Sequence, residues 1–275
     1  MVIRCKDRLL DLQKPQIMGI LNLTPDSFYD GGRLSDLDAA LQQAEKMLEE
    51  GATLLDLGGA SSRPGAMEVS EAAELGRVIP VVEAVAKRFP EAFLSVDTWR
   101  GVVAEQAVAA GAHLVNDISA GKMDDTLYPT VAKLGVPYIL MHMQGAPQTM
   151  QQAPHYEDVV TEVLDFLLAE LGRLRALGIE DIILDPGFGF GKNLAHNYAL
   201  LRNLHVFRNV TSLPVLAGIS RKSMVCKALN VSPANALNGS TALHMVALQQ
   251  GANILRVHDV KAAREVVVLY EHLRG

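Results

Sequence analysis

The chain has 275 residues, of which 49% are hydrophobic and 20% are charged, so it is long enough to bury a substantial core. Its formal net charge of −6 argues against a protein that binds nucleic acid, and Cys5 and Cys226 are too few and too far apart for a disulfide framework. No apolar run reaches the roughly 18 residues of a membrane span, and the first ten residues lack the apolar segment of a secretory leader. We therefore expect a cytoplasmic protein that does not enter a membrane.

Short apolar runs alternate with amphipathic stretches along most of the chain. The runs predict eight buried strands, at residues 17–21, 53–57, 93–96, 113–115, 138–141, 181–184, 214–217 and 253–257. Apolar residues at helical spacing lie between them, most clearly at 37–48 and 159–177. Residues 1–15 fit no such unit, and we expect a hairpin at 3–12 that plugs the bottom of a barrel formed by the eight strands. No linker divides the chain, which predicts a single domain over residues 1–275.

Eight strand–helix units in a chain of this length indicate an α/β fold, the TIM (β/α)8 barrel. The alternative is a doubly wound open sheet, but no G-x-G-x-x-G sequence follows the first predicted strand. In a barrel of this kind the active site forms at the carboxyl ends of the strands. The residues that end each apolar run are therefore the candidates for function.

Polar side chains occur at these strand ends throughout the chain. A purely structural role explains them poorly, because polar groups beside a buried core need partners. Asp56 lies among leucines, and we interpret it as a buried structural hydrogen-bonding residue. Lys192 and Arg221 are interpreted as solvated charges.

The sequence LDPGFGFGK, at 184–192, gives the clearest chemical signal. Its apolar run stops at Asp185, and a proline and three glycines then turn the backbone sharply. A carboxylate at such a place can accept two parallel N–H bonds from a flat heterocycle. Asp97, Asn116 and Lys222 could complete the ring around it. The 2-amino-4-oxo-pyrimidine edge of guanine or a pterin carries the complementary groups.

A second group of strand-end and loop residues is cationic or polar. Arg63, Arg256 and His258, with Ser62 and Asn22, suit an anion such as phosphate or pyrophosphate. An acidic protein that collects cations at one opening is expected to bind an anionic substrate there. We expect these cations on one side of the barrel rim and the acceptors for the heterocycle on the other.

At these residues the chain resembles the dihydropteroate synthase family of bacterial folate synthesis. The resemblance covers nearly the whole chain and rests on eight motifs in the family's order and spacing: MGILNLTPDSFYDGG (18–32), SSRPGA (61–66), SVDT (95–98), NDI (116–118), MHMQG (141–145), DPGFGFGK (185–192), SRKSM (220–224) and RVHDV (256–260). It implies a transferase on a TIM barrel, usually a homodimer that uses Mg²⁺. Such an enzyme condenses 6-hydroxymethyl-7,8-dihydropterin diphosphate with 4-aminobenzoate, which gives 7,8-dihydropteroate and pyrophosphate.

The resemblance also implies roles for individual residues. The implied pterin pocket comprises Asp97, Asn116, Met141, Asp185, Gly218 and Lys222. The implied diphosphate site comprises Asn22, Ser62, Arg63, Arg256 and His258, with Asn22 near the metal. The implied aminobenzoate site comprises Phe28, Ser62, Pro64, Phe190, Ser220 and Lys222. The groups expected to take part in catalysis are Asp97, Lys222, Arg63, Arg256 and His258.

The charges of these residues suggest a dissociative, SN1-like displacement. Arg63, Arg256 and His258 would stabilise the departing pyrophosphate, while Asp97 would favour a pterin cation. The chain departs from the family's GGESTRPG pattern at Ala60 and Ser62, where Glu and Thr are common. Serine keeps the hydroxyl group and loses a methyl group, so contact with the aminobenzoate ring would loosen slightly.

Three other functions fit parts of the pattern. A pterin-binding methyltransferase barrel would share the pterin carboxylate but has no use for a diphosphate cluster. A phosphosugar isomerase or aldolase barrel would need a strand-end base that LDPGFGFGK does not offer. A catalytically inactive binding paralogue would not need every polar strand-end position filled.

Overall fold

The strands of the protein form two sheets in the computed structural model, which describes residues 1–23, 33–60 and 69–275. The smaller sheet is an antiparallel hairpin of β1 (Val2–Cys5) and β2 (Arg8–Asp11). The larger sheet has eight strands, all parallel: β3 (Gln16–Asn22), β4 (Leu54–Gly58), β5 (Phe93–Asp97), β6 (Leu114–Asp117), β7 (Tyr138–Met141), β8 (Ile182–Asp185), β9 (Leu216–Ala217) and β10 (Ile254–Val257).

The eight strands close on themselves. Their spatial order is β8-β7-β6-β5-β4-β3-β10-β9, so β3 pairs with both β4 and β10. A parallel bridge between Leu184 and Val215 joins β8 to the segment that leads into β9, and the Leu184 N–H donates to the Pro214 carbonyl over 2.9 Å. The predicted TIM barrel is therefore confirmed, and the predicted strands lie within about two residues of the observed ones.

The barrel strands alternate with helices, and these account for the amphipathic stretches in the sequence. The helices are α1 (Arg33–Glu49), α2 (Glu71–Arg88), α3 (Gly101–Ala109), α4 (Leu127–Leu134), α5 (Val159–Ala176), α6 (Leu194–Arg202), α7 (Leu204–Thr211), α8 (Ser223–Leu229), α9 (Leu237–Gln249) and α10 (Val260–Arg274). At the start of α5 the Asp158 side chain accepts from the N–H groups of Val160 and Thr161, each over 2.9 Å. Within the three described ranges, no helix has both the length and the apolar character needed to cross a bilayer.

The hairpin closes one end of the barrel. Its buried residues Ile3, Cys5, Leu10 and Leu12 pack against a ring with one inward side chain from each barrel strand: Met18, Leu54, Phe93, Leu114, Ile139, Ile183, Leu216 and Ile254. These ring residues lie toward the amino ends of their strands, so the predicted plug at the bottom of the barrel is confirmed. The carboxyl ends form the opposite end, where α/β barrels place their active sites.

Candidate active site

The inward face of the barrel carries the predicted site residues beyond the plug ring, toward the carboxyl ends of the strands. Side chains along a strand alternate between faces, so residues two or four positions beyond the plug ring also point inward. This spacing leads from Leu54 to Asp56, and from Phe93 to Asp97. It gives Asn22, Asn116, Met141, Asp185, Gly218 and Arg256 on the other strands in the same way. The strand register then pairs Asp97 with Asn116, and Met141 with Asp185.

Arg256 lies at the centre of a cluster of carboxylates. Its Nε donates to Asp56 Oδ2 over 2.6 Å, and its Nη2 donates to Asp97 Oδ2 over 2.8 Å. The side-chain amide of Asn116 donates to the same Asp56 Oδ2 over 2.8 Å. A residue expected in the diphosphate site thus contacts one expected in the pterin pocket. The expectation that the two groups occupy opposite sides of the rim is wrong for this pair.

The charges of this cluster depend on each other. Burial raises the pKa of Asp97 to about 7, although the adjacent Arg256 guanidinium opposes the shift. Burial also opposes the charge of Arg256, but Asp56 and Asp97 outweigh it and raise the Arg256 pKa. The guanidinium therefore stays cationic, while Asp97 can gain or lose its proton near neutral pH.

Asp185 and Lys222 form the second part of the predicted pterin pocket. Asp185 is buried, its Oδ1 accepts the Gly187 N–H over 2.7 Å, and burial raises its pKa against the opposing charge of Lys222. Burial lowers the pKa of Lys222 to about 8, and its Nζ donates to the Phe188 carbonyl over 2.5 Å. A methyl group built on Gly218 would lie 3.5 Å from Lys222 Nζ and 3.9 Å from Asp185 Oδ2. The structure thus brings these three predicted residues together.

Lys222 also lies close to a residue predicted for the aminobenzoate site, Phe190. Its Nζ is 4.8 Å from the centroid of the Phe190 ring. The buried Ser220 is linked to His258, because its Oγ lies 3.1 Å from His258 Nδ1 and accepts the His258 backbone N–H over 3.2 Å. Ser220 and His258, predicted for neighbouring subsites, are therefore in direct contact.

The loop 185–192 is held from inside by Lys192. This side chain is only 2% exposed, and its Nζ donates to the carbonyls of Gly187 and Phe190, each over 2.9 Å. It also lies 2.9 Å from His142 Nδ1, and burial lowers the pKa of His142 to about 2, which leaves a neutral ring that accepts the bond. The interpretation of Lys192 as a solvated charge is wrong.

Arg221 is likewise not a simple solvated charge. Its guanidinium makes a two-bond ion pair with the Asp259 carboxylate, with distances of 2.8 Å and 2.5 Å. The pair joins the residue before Lys222 to the residue after His258. It connects the chain segments that follow β9 and β10.

Four predicted site residues, Phe28, Ser62, Arg63 and Pro64, lie outside the described residues. In the described part of the chain, no group of three or more His, Cys, Asp or Glu side chains could hold a metal ion.

Sequence reasoning missed the contacts that Asp56 makes with Asn116 and Arg256. The available signal was the position of Asp56 two residues beyond Leu54, which places its side chain on the inward face of the barrel with the other site residues.

Comparisons with known proteins agree on one family. A family model described as "Pterin binding enzyme" matches residues 18–258. The dihydropteroate synthase of Escherichia coli (strain K12) is 50% identical over 264 residues, which cover 95% of this chain and 93% of that protein.

Solved structures lead to the same family. The Yersinia pestis dihydropteroate synthase in a sulfonamide drug complex is 51% identical, has a TM-score of 0.94 and is matched over 100% of this chain and 99% of that one. The Xanthomonas albilineans dihydropteroate synthase in complex with 7,8-dihydropteroate is 40% identical, has a TM-score of 0.90 and is matched over 100% and 99% of the two chains.

Proposed function

Because the chain belongs to the dihydropteroate synthase family of pterin-binding enzymes, we propose that it makes 7,8-dihydropteroate from 6-hydroxymethyl-7,8-dihydropterin diphosphate and 4-aminobenzoate. The family and the transferase class predicted from the sequence motifs are confirmed by these comparisons. The observation that carries the proposed reaction is the contact of Arg256 with Asp97 at the carboxyl ends of the strands. It joins a group suited to a leaving anion to one suited to a cationic carbon.

The pterin would bind between Asp97, Asn116, Asp185 and Lys222. Because Asp185 Oδ1 already accepts the Gly187 N–H, its Oδ2, on the side of Gly218 and Lys222, is the oxygen that a ligand amino group would use. The relative with bound 7,8-dihydropteroate supports a pterin ligand for this chain. Met141 and Gly218 would line the same pocket.

The reaction would break the bond between the pterin methylene carbon and the diphosphate oxygen before the amine attacks. The bonding electron pair leaves with the pyrophosphate, and Arg256, His258 and Arg63 would stabilise that charge. Asp97 would stabilise the pterin cation that remains. The nitrogen of 4-aminobenzoate then forms the new carbon–nitrogen bond and loses one proton. Isotope effects at the methylene carbon should indicate little bonding to either nitrogen or oxygen, and an associative transition state would contradict this order.

The aminobenzoate ring would lie near Phe190, Ser220 and Lys222. Lys222 supports this, because its Nζ lies 4.8 Å from the centroid of the Phe190 ring and interacts electrostatically with Asp185, so one side chain then borders both proposed substrates. Phe28, Ser62 and Pro64 are proposed to complete this site.

Mg²⁺ is the proposed cofactor, with Asn22 as its protein ligand. Magnesium takes oxygen ligands and commonly has one or two from the protein, with substrate phosphates and water as the others. An amide oxygen at the end of β3 fits such a site. When bound, the ion would help to neutralise the charge of the diphosphate.

One assay tests the proposed function. Pyrophosphate release from the dihydropterin diphosphate should depend on 4-aminobenzoate, which neither a methyltransferase nor an inactive paralogue would show.

The Asp185→Asn variant should bind pterin at least about tenfold more weakly, because it loses a charge-assisted acceptor. Asp181→Asn, on the segment before the same strand, is the matched control and should behave as wild type. Unchanged pterin affinity in Asp185→Asn would refute the assignment of the pocket.

We also propose a homodimer, a cytoplasmic location and a single domain over residues 1–275. The single domain is supported by the barrel itself, whose strands run from Gln16 to Val257 and close between β8 and β9. Light scattering at several protein concentrations would test the dimer.

A further inference from the structure

Asp56 is a buried carboxylate with an uneven set of partners. It is 0% exposed, and its Oδ2 accepts from both Asn116 and Arg256. Its Oδ1 is buried and has no hydrogen-bond partner among the described residues. A buried polar atom without a partner lowers the stability of a fold, so structural hydrogen bonding alone does not explain this residue.

The contacts of Asp56 fix the direction of the Asn116 amide. Asp56 Oδ2 also accepts from Arg256 Nε, so it acts as an acceptor, and the group of Asn116 that faces it is the NH₂. The amide oxygen then lies on the far side of the planar group. It can meet a ligand only as an acceptor, and the ligand must supply the donor.

Asp56 also fixes the plane of the Arg256 guanidinium. Asp56 accepts a hydrogen bond from Nε–H, while Asp97 accepts one from Nη2. A guanidinium has five N–H donors in one plane, so these two bonds determine where the other three point. The same carboxylate oxygen thus orients one residue of each proposed subsite.

We propose that Asp56 is the positioning residue of the site, which holds Asn116 with its oxygen toward the pterin and Arg256 with its remaining N–H groups toward the diphosphate. The inference rests on the proposed function, because that function supplies the two ligands. Asp56 itself is fully buried, so the proposal gives it a role through Asn116 and Arg256 and no direct contact with either ligand.

Calorimetric titration with two separate probes tests this role. The probes are 2-amino-4-oxopteridine for the pterin subsite and inorganic pyrophosphate for the anion subsite. Asp56→Leu, which has similar volume and no acceptor, should weaken the binding of each probe about tenfold. Asp56→Asn keeps an acceptor oxygen and should bind the pteridine within about threefold of wild type. Ser95→Ala, a buried change at the position that pairs with Asp56 in β5, should leave both affinities unchanged.

A double-mutant cycle separates positioning from general damage to the fold. In an Asn116→Ala background, Asp56→Leu should change pteridine affinity less than about twofold, because the residue through which it acts is gone. An undiminished effect in that background would overturn the proposal, as would a folded Asp56→Leu that binds both probes like wild type. If the leucine variant does not fold, Asp56→Ala, which leaves room for water, takes its place in the cycle.

The proposed function and the proposed role of Asp56 would fail in different ways. A wild-type protein that binds neither probe refutes the proposed function, and the role of Asp56 falls with it. A wild-type protein that binds both probes, with variants that bind them equally well, refutes the role of Asp56 alone.

Discussion

At the scale of single residues, Asp97 and Lys222 are two site groups whose pKa values burial moves toward neutral pH. Burial raises the pKa of Asp97 to about 7 and lowers that of Lys222 to about 8. Asp97 must be ionised to favour a pterin cation, and Lys222 must be protonated to donate its hydrogen bonds. We therefore expect kcat/KM for the pterin substrate to rise as pH passes about 7 and to fall above about 8.

The Asp97→Asn variant identifies the acidic limb of this profile. It should lose activity and also lose the rise near pH 7, while the fall above pH 8 remains. Initial rates in overlapping buffers at constant ionic strength would measure both limbs. An acidic limb that persists in the variant would belong to another group, such as the substrate diphosphate.

The positions of the site residues could be predicted from the sequence, but their pairing could not. Strand ends and the two-residue period place Asp97, Asn116 and Asp185 at one rim without reference to side chains. The Arg256 side chain instead reaches across β3 to Asp56, a contact between residues 200 positions apart that depends on its conformation. The burial of Lys192 depends in the same way on packing against His142.

At the scale of elements, the loop 185–192 is held by side chains at each carbonyl between Gly187 and Gly191. Lys192 bonds to the first and fourth of these, and Lys222 bonds to the second. Gln151 donates to the Gly189 carbonyl, and the Tyr156 hydroxyl donates to that of Gly191 over 3.0 Å. Such a loop would present Phe190 in one fixed position.

Gly187 should be the most sensitive glycine of this loop. Its φ is +72°, and a methyl group there would lie 1.9 Å from the His142 carbonyl oxygen. Gly187→Ala should lower the free energy of unfolding by roughly 2–5 kcal/mol, because backbone strain and overpacking add. Gly178→Ala is the matched control, since its φ is +83° and nothing lies within 4 Å of the added group. It should cost only about 1–2 kcal/mol in urea titrations. Equal losses in the two variants would show that the clash relaxes.

One element is shorter than its sequence predicts. The apolar run 214–217 predicts a four-residue strand, but β9 contains only Leu216 and Ala217. Pro214 has no N–H to donate, and the Val215 N–H bonds to the Asn253 side chain over 3.1 Å instead of to a neighbouring strand. Hydrophobicity alone contains no information about such a substitute partner.

At the scale of the whole molecule, the stabilising plug and the site occupy opposite ends of the barrel. Leu10→Ala, at a position 1% exposed, should lower the free energy of unfolding by about 2–5 kcal/mol while kcat and KM stay unchanged. Leu9→Ala, next to it in β2 and 69% exposed, is the matched control and should change stability by less than about 0.5 kcal/mol. A change of KM in the Leu10 variant would show that the two ends are coupled.

The overall architecture was predictable because eight similar units repeat and because the motifs follow the order of one family. The roles of Phe28, Ser62, Arg63 and Pro64 stay predictions, since they lie outside the described residues. The effect of Ser62 on contact with the aminobenzoate ring stays a prediction for the same reason.

The closure of the barrel between β8 and β9 has a dynamic consequence. Because β9 has two residues and one bridge at Leu184 joins β8 to the segment before it, this joint has the weakest strand pairing among the described strands of the barrel. Local opening is easiest where backbone bonds are fewest, so the amide proton of Leu184 should exchange with solvent faster than those of β4 and β5. Asp185 and Lys222 lie on the two sides of this joint, so a ligand that binds both would link β8 to the segment after β9. Slower hydrogen exchange of the Leu184 amide in the presence of a bound pterin, measured by mass spectrometry, would show that the ligand stabilises the closed barrel.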